Sequence, residues 1–224
     1  MELRAEGASR RFLRGSGSAN TFYAVEKLDF SLPAATLTEI TGRSGSGKTT
    51  LLNMLAGLLE PSEGKIWLDE IDLYALPDGP RSELRNRSIG VIPQGQTGLH
   101  SLTVLENVKL PYRLYGESVS DEAAMELLER VGIAALHSAY PSELSGGEMR
   151  RLAIARALIR KPPILLADEP TGDLDDENTR AVLRLLRAAA DAGTAVLLVT
   201  HEREAAAYAD RIYRMDKGVL RPEG

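Results

Sequence analysis

A glycine-rich stretch near the start of the chain has the composition and spacing of a phosphate-binding loop. It consists of Gly42, Arg43, Ser44, Gly45, Ser46, Gly47, Lys48 and Thr49. These residues match the P-loop pattern G-x-x-x-x-G-K-[ST] at every fixed position. Glycines let the backbone turn tightly and approach a ligand, so that successive N–H groups form a cradle for an anion. Lys48 supplies a charge for the β- and γ-phosphates, and the Thr49 hydroxyl is a ligand for Mg²⁺.

The segments on both sides of this loop are those that a phosphate-binding loop requires. Residues 37–41 alternate apolar and polar side chains, as a strand does, and residues 50–57 form an apolar helical pattern that ends at a glycine. A helix that begins near Gly47 directs its positive end at bound phosphates, and we include Thr50 in the predicted nucleotide site. The alternative, a surface loop with a chance lysine, leaves the strand and the helix unexplained.

Two carboxylates follow an apolar strand pattern in the second half of the chain. Residues 164–167 are all apolar, and Asp168 and Glu169 come directly after them. In P-loop enzymes an acid at this place holds Mg²⁺, which predicts Asp168 as a metal ligand. Glu169 is predicted to polarise an attacking water. Charges also mark places where strands meet solvent, but the P-loop upstream favours the catalytic interpretation.

A second glycine loop and two single residues are further candidates. The loop consists of Leu144, Ser145, Gly146, Gly147 and Glu148. The helix predicted over residues 149–159 makes it a possible anion site, although helix rules alone favour an ordinary serine cap. Gln94 and His201 each follow a predicted strand, where either residue is commonly structural. After His201, residues 202–204 indicate the start of a helix at Glu202.

The order of strand and helix patterns predicts an α/β fold of the P-loop NTPase class. Its parts are a mostly parallel central sheet, an N-terminal antiparallel β part and a helical insertion at about residues 95–160, all within one domain of residues 1–224. Strand patterns cover residues 2–12, 28–32, 37–41, 65–69, 88–93, 164–167 and 195–199, and helical patterns cover 80–87, 103–115, 121–131 and 176–192. The last two strands are nearly all apolar, as in the middle of a covered parallel sheet.

Composition limits the classes of partner and compartment. The chain has 224 residues, no cysteine and a net charge of −5, so disulfides and thiolate metal sites are excluded and no general attraction to nucleic acid is expected. We find neither a signal-peptide core at the N-terminus nor an apolar run of the ~18 residues that span a membrane. We therefore expect a cytoplasmic protein.

Taken together, these motifs resemble those of the nucleotide-binding subunit of an ABC transporter, over residues 2–221. Residues 42–49 resemble Walker A, and residues 164–169 resemble Walker B with its catalytic glutamate. Residues 144–148 resemble the signature motif, and the D-loop is matched by Asp173, Leu174 and Asp175. Gln94 resembles the Q-loop glutamine and His201 the switch histidine. Their order along the chain also matches the family. Walker A alone marks a large superfamily, whereas Leu-Ser-Gly-Gly-Glu between Gln94 and Asp168 is specific to ABC ATPases.

The resemblance implies a head-to-tail dimer, with a second copy of this chain or with a homologous ATPase subunit. The dimer would hold two ATP molecules with Mg²⁺ between its subunits. Each ATP would lie on one Walker A and face Ser145, Gly146 and Gly147 of the other subunit. His201 would contact the γ-phosphate and Asp175 would link the two sites. Lys48, Glu169 and His201 form the implied catalytic set, and Thr49, Gln94 and Asp168 the implied metal set. Phe12 matches the position that stacks on adenine, with Phe22 and Tyr23 as rivals.

Such a subunit powers a separate membrane-spanning permease from the cytoplasmic side of the membrane. Residues 102–108 and 170–175 resemble the branch that serves lipoprotein release and macrolide or peptide export. Residues 95–99 are less typical of that branch, which leaves the substrate open. A soluble ABC ATPase that acts on DNA or ribosomes is the alternative, but the single Walker A and the short segment between Gln94 and Ser145 do not fit it. An ATP-binding regulatory subunit with little turnover is disfavoured by Lys48 and Glu169.

Overall fold

The computed structural model describes residues 1–13, 21–95, 98–172 and 174–223. Its strands are β1 (Leu3–Leu13), β2 (Thr21–Leu32), β3 (Leu37–Thr41), β4 (Glu63–Leu68), β5 (Ile71–Asp72), β6 (Ile89–Ile92), β7 (Ile164–Asp168), β8 (Ala195–Val199), β9 (Arg211–Asp216) and β10 (Val219–Pro222). Its α-helices are α1 (Lys48–Leu55), α2 (Asp78–Ser88), α3 (Val104–Arg113), α4 (Asp121–Arg130), α5 (Gly146–Leu158) and α6 (Asp176–Asp191).

The strands form two sheets. The first has the order β2-β1-β4-β5 and is antiparallel throughout, which confirms the predicted N-terminal β part. The second has the order β10-β9-β3-β8-β7-β6, and only β10 runs antiparallel to its neighbour. The mostly parallel central sheet is therefore confirmed.

The middle strands of the central sheet are apolar on both faces because each face contacts a different core. Leu165 and Ala167 of β7 pack with α5 and α6 in one core, whereas Ile164 and Leu166 pack with α1 in the other. All five residues of β7 and all five of β8 are buried. This double burial explains why both segments are continuous apolar runs.

The parallel arrangement also brings the motif residues to one edge of the sheet. Across the central sheet, Ile40 lies beside Val199, Val199 beside Asp168, and Ala167 beside Ile92. The carboxyl ends of β3, β8, β7 and β6 therefore lie next to one another, and crevices at such an edge are where open α/β sheets bind ligands.

Between β6 and β7 the described residues contain helices and no strand, as predicted for the helical insertion. Thr103 caps α3, Ser120 caps α4 and Ser145 caps α5, each by accepting a backbone N–H. The three helices contribute Val108, Leu128 and Leu152, among others, to the same core as one face of β7.

Three details differ from the sequence predictions. Helix α5 begins at Gly146 rather than at residue 149, because the capping box of Ser145 and Glu148 starts the helix within the glycine pair. The helix predicted from Glu202 is a short 3₁₀ helix, Arg203–Tyr208. Strands β5, β9 and β10 were not predicted, since they are short or carry mostly polar side chains.

Candidate functional site

A cleft of about 1360 Å³ opens at the carboxyl edge of the central sheet. Most of the predicted site residues line it: Gly42, Arg43, Ser44, Gly45, Gly47, Lys48, Thr49, Thr50, Gln94, Asp168, Glu169, His201, Phe12, Phe22 and Tyr23. Ser46 of the same loop is buried. Asp173 lies outside the described residues. The signature residues and the remaining D-loop residues, Leu174 and Asp175, do not line this cleft.

Two of the loop glycines are required by contacts within the protein. A Cβ at Gly47, where φ is +110°, would lie 2.0 Å from the carbonyl oxygen of Ala24. A Cβ at Gly42 would lie 2.3 Å from the carbonyl oxygen of Met215. At Gly45 a Cβ would meet nothing within 4 Å, so this glycine borders the open cleft. The sequence analysis predicted that these glycines let the backbone approach a ligand. At Gly42 and Gly47 the backbone instead approaches other backbone atoms of the same protein.

Lys48 is the first residue of α1, and its side chain folds back over the loop. Its Nζ donates to the carbonyl oxygen of Gly42 at 2.7 Å and to that of Arg43 at 3.1 Å. Only 8% of the residue is exposed, although its ammonium group lines the cleft. These two bonds use two of the three ammonium donors and hold the charge at the N-terminus of the helix. The position suits a phosphate that also contacts the backbone N–H groups of the loop.

Asp168 and Thr49 form the predicted metal end of the cleft. Asp168 is only 2% exposed, and the Thr49 hydroxyl donates to its carboxylate. Burial raises the pKa of Asp168, and the bond from Thr49 lowers it. Among the described residues its Oδ1 has no hydrogen-bond partner. A buried carboxylate oxygen without a partner, beside a hydroxyl, fits a hard cation such as Mg²⁺.

Glu169 and His201 contact each other across the ends of β7 and β8. Nδ1 of His201 lies 2.9 Å from Oε2 of Glu169. The hydrogen bond to this carboxylate, and then its negative charge, raise the pKa of His201. Glu169 itself has a φ of +49°, and its N–H donates to the Val199 carbonyl at 2.8 Å. A non-glycine residue in this region is strained, and such strain is concentrated at functional sites.

Three aromatic side chains also line the cleft. Phe12 and Phe22 are paired across β1 and β2, with ring centroids 6.0 Å apart. The Arg10 guanidinium lies over the Phe12 ring at 4.9 Å, and Tyr23 is adjacent in sequence and 40% exposed. All three rings are placed where a base could stack, so the choice between Phe12, Phe22 and Tyr23 stays a prediction.

The signature residues lie at the N-terminus of α5. The Ser145 hydroxyl oxygen accepts from the N–H of Glu148, and the Glu148 carboxylate accepts from the N–H of Ser145 at 2.7 Å. Ser145 and Gly146 are exposed, Leu144 is partly buried, and a Cβ at Gly147 would lie 3.1 Å from Cδ2 of Leu174. The signature loop therefore contacts the D-loop. Ser145 is a helix cap, which is the structural alternative that the sequence analysis gave for this motif. Its exposed surface is still available to a second subunit.

Asp175 of the predicted D-loop also has a structural role in its own chain. It is the N-cap of α6, where its carboxylate accepts from the N–H of Asn178 at 2.8 Å. This backbone hydrogen bond, followed by the bond from the Asn178 amide, lowers the pKa of Asp175. Arg151 of α5 donates to Asn178 Oδ1 at 2.7 Å, which joins the helix of the signature motif to the start of α6.

Several cleft residues were missed by the sequence analysis. They are Ala24, Gly95, Arg150, Gly172, Glu202, Lys217 and Gly218. Gly218 follows β9, and its N–H donates to the Ser46 carbonyl at 2.8 Å while its own carbonyl accepts from Glu26. The turn between β9 and β10 thus supports the phosphate-binding loop. Nothing in the local sequence of this turn indicates that contact.

Comparison with known proteins places this geometry in a family. The model of the ABC transporter family matches residues 25–172. The chain belongs to the ABC transporter family. It is the ATP-binding and ATP-hydrolysing subunit, as the motif set predicted.

The relatives of this ABC ATPase include two kinds of transport subunit. The lipoprotein-releasing system ATP-binding protein LolD of Xanthomonas campestris pv. campestris (strain 8004) is 41% identical over 222 residues, which are 98% of this chain and 92% of LolD. The methionine import ATP-binding protein MetN of Rhizobium meliloti (strain 1021) is also 41% identical, over 98% of this chain and 62% of MetN. The chain therefore spans less than two thirds of MetN but nearly all of LolD.

Solved structures confirm the fold of the ABC ATPase. A dimeric, post-hydrolysis state of the ATP-binding cassette MJ0796 bound to ADP and Pi has a TM-score of 0.92 at 32% identity, over 99% of this chain and 97% of that one. A nucleotide-free ATP-binding cassette has a TM-score of 0.82 at 27% identity, over 100% and 92% of the two chains. No helix among the described residues is long and apolar enough to cross a membrane.

Proposed function

We propose that this ABC ATPase binds Mg²⁺-ATP in the cleft at the carboxyl edge of β3, β6, β7 and β8. The supporting observation is that Lys48, Gln94, Asp168 and His201, which stand at or after the carboxyl ends of four different strands, line one cleft. Thr49, Gln94 and Asp168 would hold Mg²⁺, which neutralises phosphate charge when bound. Lys48 and the loop N–H groups hold the β- and γ-phosphates. One of the three aromatic rings of the cleft, Phe12, Phe22 or Tyr23, stacks on adenine.

Within this site Glu169 is the residue that orients the attacking water. Glu169 directly follows β7 and is next in sequence to the proposed metal ligand Asp168, so its carboxylate would hold a water beside the phosphates when ATP is bound. His201 bonds the same carboxylate and fixes its orientation. Positioning and charge stabilisation supply most of the rate in phosphoryl transfer, and this arrangement provides both.

The working assembly is a head-to-tail dimer attached to a membrane-spanning permease. Ser145 and Gly146 are exposed and lie outside the cleft of their own chain, so they are free to complete the cleft of a second subunit. The solved dimeric cassette that this chain resembles supports such an assembly. The permease would bind the helical insertion and hold the ATPase at the cytoplasmic face of the membrane, with no role for nucleic acid.

The transported substrate that we propose is a lipoprotein. The support is the 41% identity with LolD over 92% of its length. A peptide or an antibiotic-like molecule remains the alternative within the same branch, and methionine import by MetN is the alternative outside it.

A pull-down tests the partner and the substrate together. Tagged Glu169→Gln protein is incubated with ATP and gently solubilised membranes from the protein's own source, with Lys48→Ala as the matched control that does not hold ATP. We expect Glu169→Gln to capture a polytopic membrane protein in a stoichiometric amount. In a second experiment the chain is depleted from cells, and lipoproteins should then accumulate in the cytoplasmic membrane. Capture of ribosomes or DNA would contradict the proposed membrane partner. A depletion that does not increase the amount of lipoprotein in the cytoplasmic membrane would contradict the proposed substrate.

A further inference from the structure

Arg150 is the buried cation that connects the signature helix to the cleft of its own chain. It is the fifth residue of α5, it is only 7% exposed, and it lines the cleft with Gln94 and Asp168. Ser145 lies at the start of the same helix but outside the cleft. One rigid helix therefore presents its first residues to solvent and a side chain one turn later to the nucleotide site.

The guanidinium of Arg150 is bonded to the backbone just before Gln94. Its Nη1 donates to the carbonyl oxygen of Pro93 at 3.1 Å. That carbonyl belongs to the peptide that joins Pro93 to Gln94, so the bond fixes the plane of the peptide from which Gln94 extends. The residue after Gln94 is Gly95, whose φ of +95° lies in the left-handed region that favours glycine.

Two glycines lie close to Arg150 and the start of its helix. A Cβ at Gly98 would lie 2.9 Å from Sδ of Met149, so the backbone at Gly98 packs against α5 without space for a side chain. A Cβ at Gly172 would lie 3.4 Å from Nη2 of Arg150, which places the guanidinium beside the chain that follows Glu169.

A buried cation is stable only where acceptors face it. Among the described residues, the carbonyl oxygen of Pro93 is such an acceptor for Arg150.

We infer that Arg150 is a positioning residue for ATP hydrolysis: it holds the Pro93–Gln94 peptide so that Gln94 points into the cleft, and it links that glutamine rigidly to the signature helix of the same chain. The inference rests on the proposed role of Gln94. It assigns to α5 two tasks, one toward the other subunit through Ser145 and one toward its own nucleotide through Arg150.

A kinetic cycle tests this role. ATP hydrolysis is measured for wild type, Arg150→Gln, Gln94→Ala and the double variant, and each protein is also assayed for thermal unfolding. Loss of a charged hydrogen bond that orients a catalytic group should lower kcat about tenfold while KM for ATP stays within about twofold, because Lys48 and the loop still bind the phosphates. If Arg150 acts through Gln94, the double variant should be no slower than Gln94→Ala alone.

Arg85→Gln is the matched control. Arg85 donates from Nη1 to the Gly57 carbonyl at 3.1 Å, which is the same kind of bond at the same distance, but it does not line the cleft. It should lose stability without a fall in kcat. Arg150→Lys lacks the planar fork but keeps the charge and a hydrogen-bond donor. Its kcat should therefore be closer to that of wild type than to that of Arg150→Gln. If Arg150→Gln does not fold, the cycle with Gln94→Ala is run with Arg150→Met, which keeps an unbranched stem but donates no hydrogen bond.

The outcomes separate the inference from the proposed function. A normal kcat in Arg150→Gln with a slow Gln94→Ala would overturn the inference alone, as would losses that add in the double variant. A normal kcat in Gln94→Ala would overturn both the proposed role of Gln94 and the inference built on it. A fall in kcat of equal size in Arg85→Gln would show that lost stability, and not positioning, slows the enzyme.

Discussion

Glu169 and His201, which resemblance to the family assigns to two different tasks, are bonded to each other, with 2.9 Å between Oε2 and Nδ1. The bond joins the residue that follows β7 to a residue that follows β8, across two neighbouring parallel strands. The His201 imidazole therefore orients one oxygen of the Glu169 carboxylate, the group that would hold the attacking water. This relationship makes the chemistry of the two residues interdependent.

Replacement of the glutamate should separate ATP binding from ATP hydrolysis. Glu169→Gln removes the group that orients water but leaves Lys48 and the phosphate-binding loop unchanged, so we expect kcat to fall by about 10²- to 10⁴-fold with ATP affinity retained. The ATP-bound dimer should then accumulate and be visible by size-exclusion chromatography with ATP but not with ADP. Turnover close to that of wild type would show that Glu169 is not the general base.

The same pair predicts a pH-dependent signal. The pKa of His201 is raised above the ordinary value of about 6.5 by its bond to the Glu169 carboxylate and then by the charge of that carboxylate. The ionic pair needs the imidazolium form, so it is complete below pH 6.5 and is lost as the pH rises through the raised pKa. In a titration followed by nuclear magnetic resonance, the pKa of His201 should fall in Glu169→Gln.

The ring resonances of His100 and His137 are the internal control for this titration. Neither residue lines the cleft, so their signals should not respond to the substitution at Glu169. An unchanged pKa of His201 in the variant would mean that the two side chains are not bonded in solution.

Gly47 should be intolerant of even one methyl group. In Gly47→Ala the Cβ would lie 2.0 Å from the Ala24 carbonyl oxygen, and the loop or β2 would have to move. Gly193→Ala is the matched control, since its φ of +107° is close to the +110° of Gly47 but its Cβ would meet nothing within 4 Å. Both variants share the backbone strain, so the difference between their free energies of unfolding measures the steric clash.

We expect Gly47→Ala to be less stable than Gly193→Ala by about 1–3 kcal/mol, the usual cost of overpacking, in a denaturant titration. ATP affinity should fall with it because the displaced loop no longer presents its N–H groups correctly. Equal stabilities for the two variants would show that the loop can shift away from Ala24 at no cost.

A bulky charge at the signature serine should block dimer closure. In Ser145→Arg the exposed N-terminus of α5 gains a long cation and loses its cap, which costs about 1 kcal/mol of stability. Nucleotide binding by the monomer should survive, because Ser145 does not line the cleft of its own chain. The measurement is ATP-dependent dimer formation in a Glu169→Gln background.

Ser120→Arg controls for the loss of a cap. Ser120 caps α4 by accepting the N–H of Ala123 at 3.2 Å, as Ser145 does for α5, and it is also exposed. It should lose similar stability and still dimerise. An ATP-dependent dimer in Ser145→Arg would show that the signature loop does not lie between the subunits.

The sequence predicted the elements of the core well because their patterns are physically forced. A strand buried on both faces, such as β7, is apolar along its whole length up to Asp168 at its end. The caps at Thr103 and Ser120 leave clear signals in the sequence. Strands β9 and β10 were missed because their side chains are mostly polar or exposed. They form because β9 pairs with β3, a contact between segments more than 160 residues apart in the chain.

The start of α5 shows how two local rules can compete. Gly146 and Gly147 have low helix propensity, which favoured a loop up to residue 149. The reciprocal bonds of Ser145 and Glu148 outweigh this propensity and start the helix at Gly146. The same capping signal was present in the sequence and would have predicted the observed boundary.

By itself, then, the sequence determined the fold class, the family and the identity of most groups in the cleft, because the residue types at Lys48, Asp168 and Glu169 are those that phosphate and metal chemistry needs. The tertiary structure decided what these groups touch. Only parallel pairing brings Glu169 to His201, and only the packing of α5 turns Arg150 inward, since a helix buried on several sides has no periodic pattern that marks one inner face. The contact of Gly218 with Ser46 also depends on long-range pairing, which no local pattern in the sequence encodes.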